Sequence, residues 1–345
     1  MTSPPAHRRA SLKDVARAAR VSTATVSYVL SGKRPVAEPT RRRVLRAVEE
    51  LGYRKNLSAA ALRGGHSQAI SLIIPDVTNP FYTELIAGAE DAASARDATI
   101  ELRNANLDPT RERSYLRSAL ASDCAAIIHA PLTPGSLAPL TDAAAPPRPQ
   151  PPLIIVDEPV SGPAAASVSV DNRTGGRLVA EHFAATGRRR AGVIGTPTGM
   201  PTSTARVEGF VERARELGLV VPPAAVATAV RRTGDAVADA VGIMLADRAI
   251  DCFFAGDDLL AARLLRALPD AGIRIPRDVA VCGFDDIPWA ELLSPPLTTV
   301  AQPARELGGL AVEAASDLLA GREVHDVVLP VRLVVRESTA RALER

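Results

Sequence analysis

The chain has 345 residues, enough for one small and one large domain or for three modest units. Its hydrophobic content of 46% and near-zero mean hydropathy are typical of a globular protein, and the lack of an 18-residue apolar run argues against a membrane span. The first ten residues lack the apolar core of a secretory signal, so we expect a cytoplasmic protein with no membrane partner. The three cysteines are far apart, which argues against disulfides and zinc and predicts buried thiols.

The charge of the chain is unevenly distributed. Residues 1–63 contain 14 Lys and Arg against four Asp and Glu, a formal charge of +10, so the remaining 282 residues carry −8. This asymmetry is typical of a nucleic-acid-binding head on an acidic body. The alternative is a solvated basic tail, which is disfavoured because the head also contains periodic apolar residues.

The head, residues 11–55, has the pattern of three short helices behind a disordered tail at residues 1–10. Ser11 and Ser22 are the predicted N-caps of the first two helices, and Pro39 and Thr40 begin the third. Apolar residues recur at helical spacing on one face of each helix. They are Leu12, Val15, Ala16, Ala19, Val26, Val29, Leu30, Val44, Leu45, Val48 and Leu51. Two short helices joined by a three-residue turn predict a helix-turn-helix, whose second helix fits the major groove.

The exposed side chains of this head supply two kinds of predicted DNA contact. The second helix presents its outer face to base edges, and hydroxyls at helix starts together with basic side chains favour phosphates. The residues predicted to contact DNA are Ser11, Ser22, Thr23, Ala24, Thr25, Ser27, Tyr28, Ser31, Lys33, Arg34 and Thr40. The alternative, a three-helix packing module without a DNA role, is disfavoured by the +10 charge.

From Ala69 onward, short apolar strands alternate with amphipathic helices, a pattern that predicts parallel sheets covered on both faces. The predicted strands are 70–74, 100–104, 125–129, 153–156, 191–195, 252–255 and 279–284. The predicted helices are 80–96, 109–120, 175–186, 205–217, 234–245 and 259–268. Two such series predict two similar lobes, and the Pro-rich residues 131–152 predict a surface loop.

Polar and aromatic residues follow several of these strands. Because open α/β sheets bind ligands beyond the carboxyl ends of their strands, these side chains predict a ligand site. Its candidate residues are Asn79, Phe81, Tyr82, Asp157, Arg206 at the start of its helix, Asp257 and Asp285. A polar ring with an aromatic face suits a small hydroxylated ligand. Asp258 and Asp286 are assigned instead to helix capping or structure.

Segments along the whole chain resemble the lactose/galactose repressor (LacI/GalR) family, and the resemblance is highly specific. Ser11–Ala19, Val21–Ser27 and Glu50–Tyr53 match the family's headpiece. Matching body motifs follow in order at Asp76–Phe81, Val170–Asn172, Arg206–Phe210, Ala255–Asp258, Val281–Ile287, Leu297–Val300 and Val334–Ser338. The resemblance implies an all-α helix-turn-helix headpiece with a hinge helix, plus an α/β periplasmic-binding-protein-like core of two Rossmann-like parallel-sheet lobes.

The resemblance also implies a hinge helix and linker at residues 56–68, in which Asn56, Ala59 and Leu62 contact DNA. The leucine would wedge into a base step and kink the duplex. A plain flexible linker ending at Gly64 and Gly65 stays the alternative. The head departs from the family at Tyr28, where an arginine is usual.

The family resemblance divides the core, residues 69–345, into lobe 1 (about 69–170 and 303–329) and lobe 2 (about 171–301 and 330–345). It implies a transcriptional regulator, a repressor, that binds a palindromic operator as a homodimer and responds to a small molecule between the lobes. A sugar is the expected effector class, with a nucleoside or purine as the alternative. Arg206 and Asp285 match effector contacts in the family. Asp157-Glu158 and Asp257-Asp258 replace a common Asp-Arg and Asn-Asp, and this extra negative charge disfavours an anionic effector.

An enzyme is the competing class of function. The chain has no phosphate-binding loop, zinc-protease, nucleophile-elbow or dinucleotide motif, and its five histidines lack metal-ligand spacing. His129, at a strand end, is interpreted as a satisfied buried histidine. A transport protein would need an export signal, and an enzyme would not need the basic head. We therefore expect a protein that is not an enzyme and has no cofactor and no metal.

Overall fold

The computed structural model describes residues 10–31, 34–53, 68–137, 150–160, 162, 164–195, 200–228, 237, 242, 246 and 249–340. The chain divides into two compact units, Met1–Ser67 and Gln68–Arg345. Within the part of the chain that the structure describes, the helices are too short or too polar to traverse a lipid bilayer.

The described residues of the first unit form three helices: α1 (Leu12–Ala19), α2 (Thr23–Ser31) and α3 (Glu38–Glu50). Ser11 and Asp14 form the capping box at the start of α1, with the Ser11 Oγ accepting from the Asp14 backbone N–H at 3.3 Å. The Ser22 hydroxyl accepts from the Thr25 backbone N–H at the start of α2. The helices share a small apolar core around Val15, Val26 and Val44, which holds α2 with one face outward.

Two residues predicted to face this core do not. Leu45 is 44% exposed and Leu51 is 40% exposed. Leu45 lies about 100° around the helix from Val44, outside the buried stripe. Leu51 is the C-cap residue, one position beyond the end of α3. The inner stripe of α3 is therefore narrower than the sequence pattern indicates, with Ala47 as a member.

Within its described ranges, the second unit forms two six-stranded sheets. Sheet 1 has the strand order β11-β5-β4-β3-β1-β2 and is parallel throughout. Its strands are β1 (Ala69–Ile74), β2 (Thr99–Asn104), β3 (Ala126–His129), β4 (Leu153–Val156), β5 (Ala166–Val170) and β11 (Val327–Leu329). Helices α4 (Pro80–Ser94) and α9 (Ala304–Leu319) cover one face, and α5 (Pro109–Leu120) covers the other.

Sheet 2 has the order β12-β10-β9-β8-β6-β7. Its strands are β6 (Ala191–Gly195), β7 (Val226–Thr228), β8 (Cys252–Ala255), β9 (Ala280–Asp285), β10 (Thr298–Ala301) and β12 (Arg332–Val334). Helices α6 (Asn172–Ala185) and α7 (Pro201–Glu216) pack on one face and α8 (Asp258–Asp270) on the other. The predicted helix 234–245 lies mostly outside the described residues.

The chain crosses between the sheets three times, after β5, after β10 and after β11. The last crossing explains one difference from the predicted all-parallel lobes, because β12 pairs antiparallel with β10. β11 runs parallel to its neighbours in sheet 1, so it ends where those strands end, and β12 starts there and must run back. The predicted fold class, a helical head with two α/β lobes of mainly parallel strands, is otherwise confirmed.

Helices α6 and α7 cross with their backbones in direct contact. A Cβ atom added to Gly176 would lie 2.0 Å from the carbonyl oxygen of Arg206, and one added to Gly209 would lie 2.1 Å from that of Arg173. Neither position accepts a larger residue without separation of the helices. The close crossing fixes α7, and with it Arg206, against sheet 2.

Two further predictions need correction. Cys252 and Cys282 are buried, as expected, but Cys124 is only half-buried. The strands β5, β7, β10, β11 and β12 and helix α9 were not predicted as elements. β7, β11 and β12 have three residues each, too few for a periodic pattern to indicate a strand.

Candidate functional site

A cavity of about 250 Å³ lies between the two lobes, beyond the carboxyl ends of strands of both sheets. All seven residues predicted to form the ligand site line it. Ten further residues complete the lining: Pro75, Leu107, Pro109, Pro131, Leu132, Thr133, Glu158, Met200, Thr202 and Gln302. The expectation that ligands bind beyond the carboxyl ends of strands (the strand-end rule) therefore located the cavity, but it did not identify more than half of the lining residues.

The lobe 1 wall combines an aromatic pair with a carboxylate. The Asn79 side chain caps α4 by accepting from the Phe81 backbone N–H at 3.2 Å. This cap starts the helix so that Phe81 and Tyr82 meet edge to face, with ring centroids 5.0 Å apart. The Tyr82 hydroxyl donates to Asp157 Oδ2 at 2.9 Å, which ties the aromatic wall to the end of β4.

Two of the three strand-end aspartates of the cavity have unusual backbones. Asp157 has φ 70° after β4 and Asp285 has φ 122° at the end of β9, values that residues with a side chain rarely adopt. Such strain persists where the surrounding structure imposes it, and it clusters at binding sites. The Gln302 amide nitrogen donates to Asp285 Oδ1 at 2.7 Å, so a residue of the second crossing orients this carboxylate.

Arg206 is held in one orientation by the lobe 2 wall. Its Nε donates to Asn172 Oδ1 and its Nη1 donates to the Gly256 carbonyl, both at 2.7 Å. The guanidinium carbon lies 3.8 Å from the centroid of the Phe284 ring, a cation–π contact. Nη1 is 3.6 Å from Asp285 Oδ1. A guanidinium fixed in this way presents its remaining N–H groups in a set direction.

The expected position of Arg206 at the start of its helix was wrong. Helix α7 begins at Pro201, so Arg206 lies in its second turn. Proline at the first helical position is a common helix start, and the sequence pattern from residue 205 missed this turn. The first turn brings Thr202 into the cavity lining.

Two adjacent aspartates at the end of β8 have different environments. Asp257 lines the cavity and also caps α8, since its Oδ1 accepts from the Leu260 backbone N–H at 2.8 Å. Asp258 is fully buried behind it and accepts from the Ile287 backbone N–H and the Thr299 hydroxyl. Burial, and then the charge of Asp285, raise the pKa of Asp258 well above its usual range.

The structural assignments of Asp258 and Asp286 agree with these contacts. Asp258 joins α8 to the segment after β9 and to β10 through the hydrogen bonds described above. Asp286 pairs with Arg336 at 2.7 Å. Neither residue lines the cavity between the lobes.

Glu158 joins the two lobes across the cavity. It follows Asp157 in lobe 1, and its carboxylate accepts from both the backbone N–H and the hydroxyl of Thr202 in lobe 2. Burial, and then the charge of Asp157, raise the pKa of Glu158 to about 7. The sequence could have indicated Glu158 as a site residue, because it is adjacent to Asp157 at the end of a strand. It could not indicate Thr202, because helix α7 was predicted to start after this residue.

A buried glutamate supports another part of the wall. Glu112 on α5 accepts from the backbone N–H of Leu132 and the hydroxyl of Ser136, both at 2.7 Å, and contacts His129 Nε2 at 2.9 Å. The segment that it fixes carries Leu132 and Thr133 into the cavity lining. The predicted surface loop 131–152 is thus wrong at its start, while residues 138–149 lie outside the described residues.

His129 agrees only in part with its interpretation as a satisfied buried histidine. It is fully buried and paired through Nε2 with Glu112. Its Nδ1 has no hydrogen-bond partner among the described residues. No group of three or more potential metal ligands occurs in the described ranges.

The N-cap and outer face of α2 carry five of the residues predicted to contact DNA. Ser22, Thr23, Ala24, Ser27 and Tyr28 are exposed. Arg34 is exposed too and lies 5.2 Å from the Tyr28 ring centroid in a cation–π contact. Ser11, Thr25 and Thr40 are half-buried. Asn56, Ala59, Leu62, Lys33 and the side chain of Ser31 lie outside the described residues.

The architecture described above is that of a DNA-binding transcriptional regulator: a helix-turn-helix head followed by a two-lobed domain with a polar cavity between the lobes. Residues 11–56 match the model of bacterial regulatory proteins of the lacI family, and residues 180–339 match the periplasmic binding protein-like domain. The chain belongs to the lacI family of bacterial regulatory proteins. Members of this family are transcriptional regulators, so the chain is not an enzyme.

Individual relatives match along nearly the whole chain. The transcriptional repressor PurR of Photobacterium profundum is 32% identical over 341 residues, covering 95% of this chain and 98% of its own. The Lac repressor bound to ONPG in its repressed state superposes with a TM-score of 0.82 at 25% identity, covering 96% and 100%. The transcriptional regulator CelR in complex with cellobiose gives 0.66 at 28% identity, with the same coverage. The predicted family is confirmed.

Proposed function

We propose that this protein is a repressor that binds a palindromic operator in the cytoplasm as a homodimer and changes its affinity for that operator when a small molecule occupies the cavity between its lobes. The cavity carries the proposal, because residues of both lobes line it and a ligand there contacts both. Binding to a palindrome calls for a dimer, since a pair of helix-turn-helix heads occupies its two half-sites.

A sugar is the class of ligand that the cavity supports best. Its wall combines carboxylates and a fixed guanidinium with the Phe81–Tyr82 pair, which suits a ring that has hydroxyls at its edge and C–H groups on its face. The related regulator CelR was solved with cellobiose, which supports this class. A nucleoside or purine is the second candidate, favoured by the aromatic wall alone.

The experiment that tests the proposal is a selection of bound sequences from random duplex DNA. The full chain is compared with a truncated chain that begins at Gln68, the start of the second compact unit. Enrichment of a pseudo-palindrome by the full chain alone is the expected result. No enrichment in the presence or absence of added sugars and purines would overturn the proposal.

Replacing Ser27 with alanine is expected to weaken binding to the selected operator by about tenfold. Its hydroxyl lies on the exposed face of α2, and loss of a base-edge contact costs about 1–3 kcal/mol in discrimination. Affinity for unrelated DNA should change little, because phosphate contacts dominate it. Electrophoretic mobility shifts with both DNAs measure the two effects. Thr83→Ala, on the exposed side of α4, is the control, and equal operator affinity of the two variants would remove Ser27 from the interface.

Replacing Leu62 with alanine is expected to weaken operator binding while leaving ligand binding intact. The residue belongs to the proposed hinge helix, where an apolar wedge would unstack one base step and bend the DNA. Gel-shift titration measures the affinity, and circular permutation of the site on the DNA fragment measures the bend. A variant with unchanged affinity and bend would contradict the hinge role.

A further inference from the structure

The lining of the cavity contains more acidic than basic residues. Asp157, Glu158, Asp257 and Asp285 all contribute to it, and each is less than 8% exposed. Arg206 is the cationic residue of the described lining. Full ionisation therefore gives the wall a formal charge of −3. Buried charges of one sign are costly unless an opposite charge compensates them.

Arg206 is poorly placed to neutralise this excess. Its Nε and Nη1 donate to Asn172 and the Gly256 carbonyl, and its guanidinium lies on the Phe284 ring. Asp285 is its carboxylate neighbour, at 3.6 Å. For the Glu158 carboxyl, the repulsion from Asp157 outweighs the attraction of Arg206. When both are ionised, the charge of Asp157 and Glu158 on the lobe 1 side of the cavity is therefore only partly offset by Arg206.

An independent observation concerns hydrogen bonding. Gln302 lines the cavity and is 8% exposed. Its amide nitrogen is committed to Asp285, and its Oε1 is buried without a hydrogen-bond partner among the described residues. A buried acceptor left in this state costs free energy. Together with four carboxyl groups, it gives the cavity an excess of acceptors over donors, so the matching ligand is rich in donors.

We propose that the ligand of this cavity is a polyhydroxylated ring compound that carries a protonated amine, such as an amino sugar or an aminocyclitol. The inference rests on the proposed function, which assigns the effector to this cavity. The ammonium supplies three donors and the missing positive charge. It lies on the lobe 1 side near Asp157 and Glu158, while the hydroxyls face Arg206 and the ring face contacts the aromatic pair.

The titration of Glu158 agrees with this assignment. Burial and the charge of Asp157 raise its pKa to about 7, although Thr202 donates two hydrogen bonds to it and Arg206 attracts it from α7. Without a ligand, a proton therefore compensates part of the charge near neutral pH. A bound ammonium would displace that proton, so protons and cationic ligand compete. Affinity for the amine is expected to rise as pH increases through 7.

The first test uses matched compounds that differ at one carbon. 6-Amino-6-deoxyglucose, glucose and glucuronate carry an amine, a hydroxyl or a carboxylate at C6, and a second set is built on galactose. An aminocyclitol is paired with inositol. Thermal unfolding of the full chain at pH 8 reports binding, since a ligand of the native state raises the Tm. In at least one set the amine is expected to raise the Tm most and the acid not at all.

The second test uses the Glu158→Gln variant and the compound with the largest shift. For the wild type, the ionised fraction of a carboxyl with a pKa of about 7 rises roughly tenfold between pH 6 and pH 8, and the affinity for the amine should rise by the same factor. Glu158→Gln should show a flat profile, with affinity at pH 8 reduced by about tenfold. Glu90→Gln, an exposed position on α4, should behave as the wild type.

The outcomes separate this inference from the proposed function. Amines that raise the Tm no more than their neutral partners, including no shift at all, overturn the amine assignment. A profile that is unchanged in Glu158→Gln does the same. Selection of operator DNA by the same preparation tests the regulator itself, so success there with failure of the amines rejects only the ligand class.

Discussion

Replacing Arg206 with lysine is expected to lower the affinity of the cavity for its ligand by about 100-fold. Lysine preserves the charge of the wall, but its three donors share one nitrogen. That nitrogen cannot occupy both the Nε position beside Asn172 and the Nη1 position beside the Gly256 carbonyl, so the fixed direction of the donors towards the ligand is lost. Loss of one or two hydrogen bonds to a charged group costs about 3 kcal/mol, which corresponds to about two powers of ten in affinity. Calorimetric titration measures the loss.

Two comparisons make this result specific. Arg215→Lys changes an exposed arginine on the same helix and should bind ligand as the wild type does. Arg206→Lys should still bind operator DNA, because the guanidinium belongs to the body and not to the head. Ligand affinity equal to that of the wild type would remove Arg206 from the binding site.

Replacing Glu112 with alanine is expected to destabilise the protein by about 3 kcal/mol or more. The substitution removes a fully buried carboxylate and leaves the Leu132 N–H, the Ser136 hydroxyl and His129 Nε2 without their acceptor. Removing one partner from a buried polar network lowers the free energy of unfolding by about 3–5 kcal/mol. Urea unfolding of the full chain measures the free energy. Ligand affinity should fall as well, because Leu132 and Thr133 lose their support.

Glu90→Ala provides the control for this substitution. It removes the same side chain from an exposed helical position, where changes usually amount to less than about 0.5 kcal/mol. Equal unfolding free energies for Glu112→Ala and Glu90→Ala would show that the buried network contributes nothing. A lower free energy of unfolding for Glu112→Ala without any change in ligand affinity would show that the segment after β3 does not shape the cavity.

The sequence predicted the cavity correctly where local rules apply. Asp157, Asp257 and Asp285 each follow an apolar run of four to six residues that ends a strand. The strand-end rule needs no knowledge of which strands are neighbours. It therefore brought residues from both lobes into one site before the sheet order was known.

Contacts between distant segments could not be predicted in this way. Glu112 meets Ser136 and Glu158 meets Thr202 across separations of 24 and 44 residues. Neither pair has a spacing that a helix or a strand imposes, so only the assembled fold brings them together. Because the start of α7 at Pro201 was not predicted, Thr202 was not recognised as a residue of the site. An error in one helix boundary was therefore enough to omit a lining residue.

In the head, too, local features could be predicted, whereas contacts between helices could not. The N-cap of α1 at Ser11 is a local feature and was predicted from the sequence. The exposure of Leu45 depends on how narrowly α3 contacts its neighbours, which hydrophobicity alone does not reveal. When a helix has more apolar residues than its buried face can hold, its position in the sequence can be predicted more reliably than the burial of each apolar residue.

Control of the DNA-binding head by the cavity can be measured as the affinity for the selected operator with and without a compound that binds the cavity. We expect this affinity to change by at least about fivefold. The affinity for the compound should change by an equal factor when operator is present, because coupling between two sites is reciprocal. Identical operator affinities in the presence and absence of a saturating cavity ligand would contradict this expectation, and would mean that the cavity does not control the DNA-binding head.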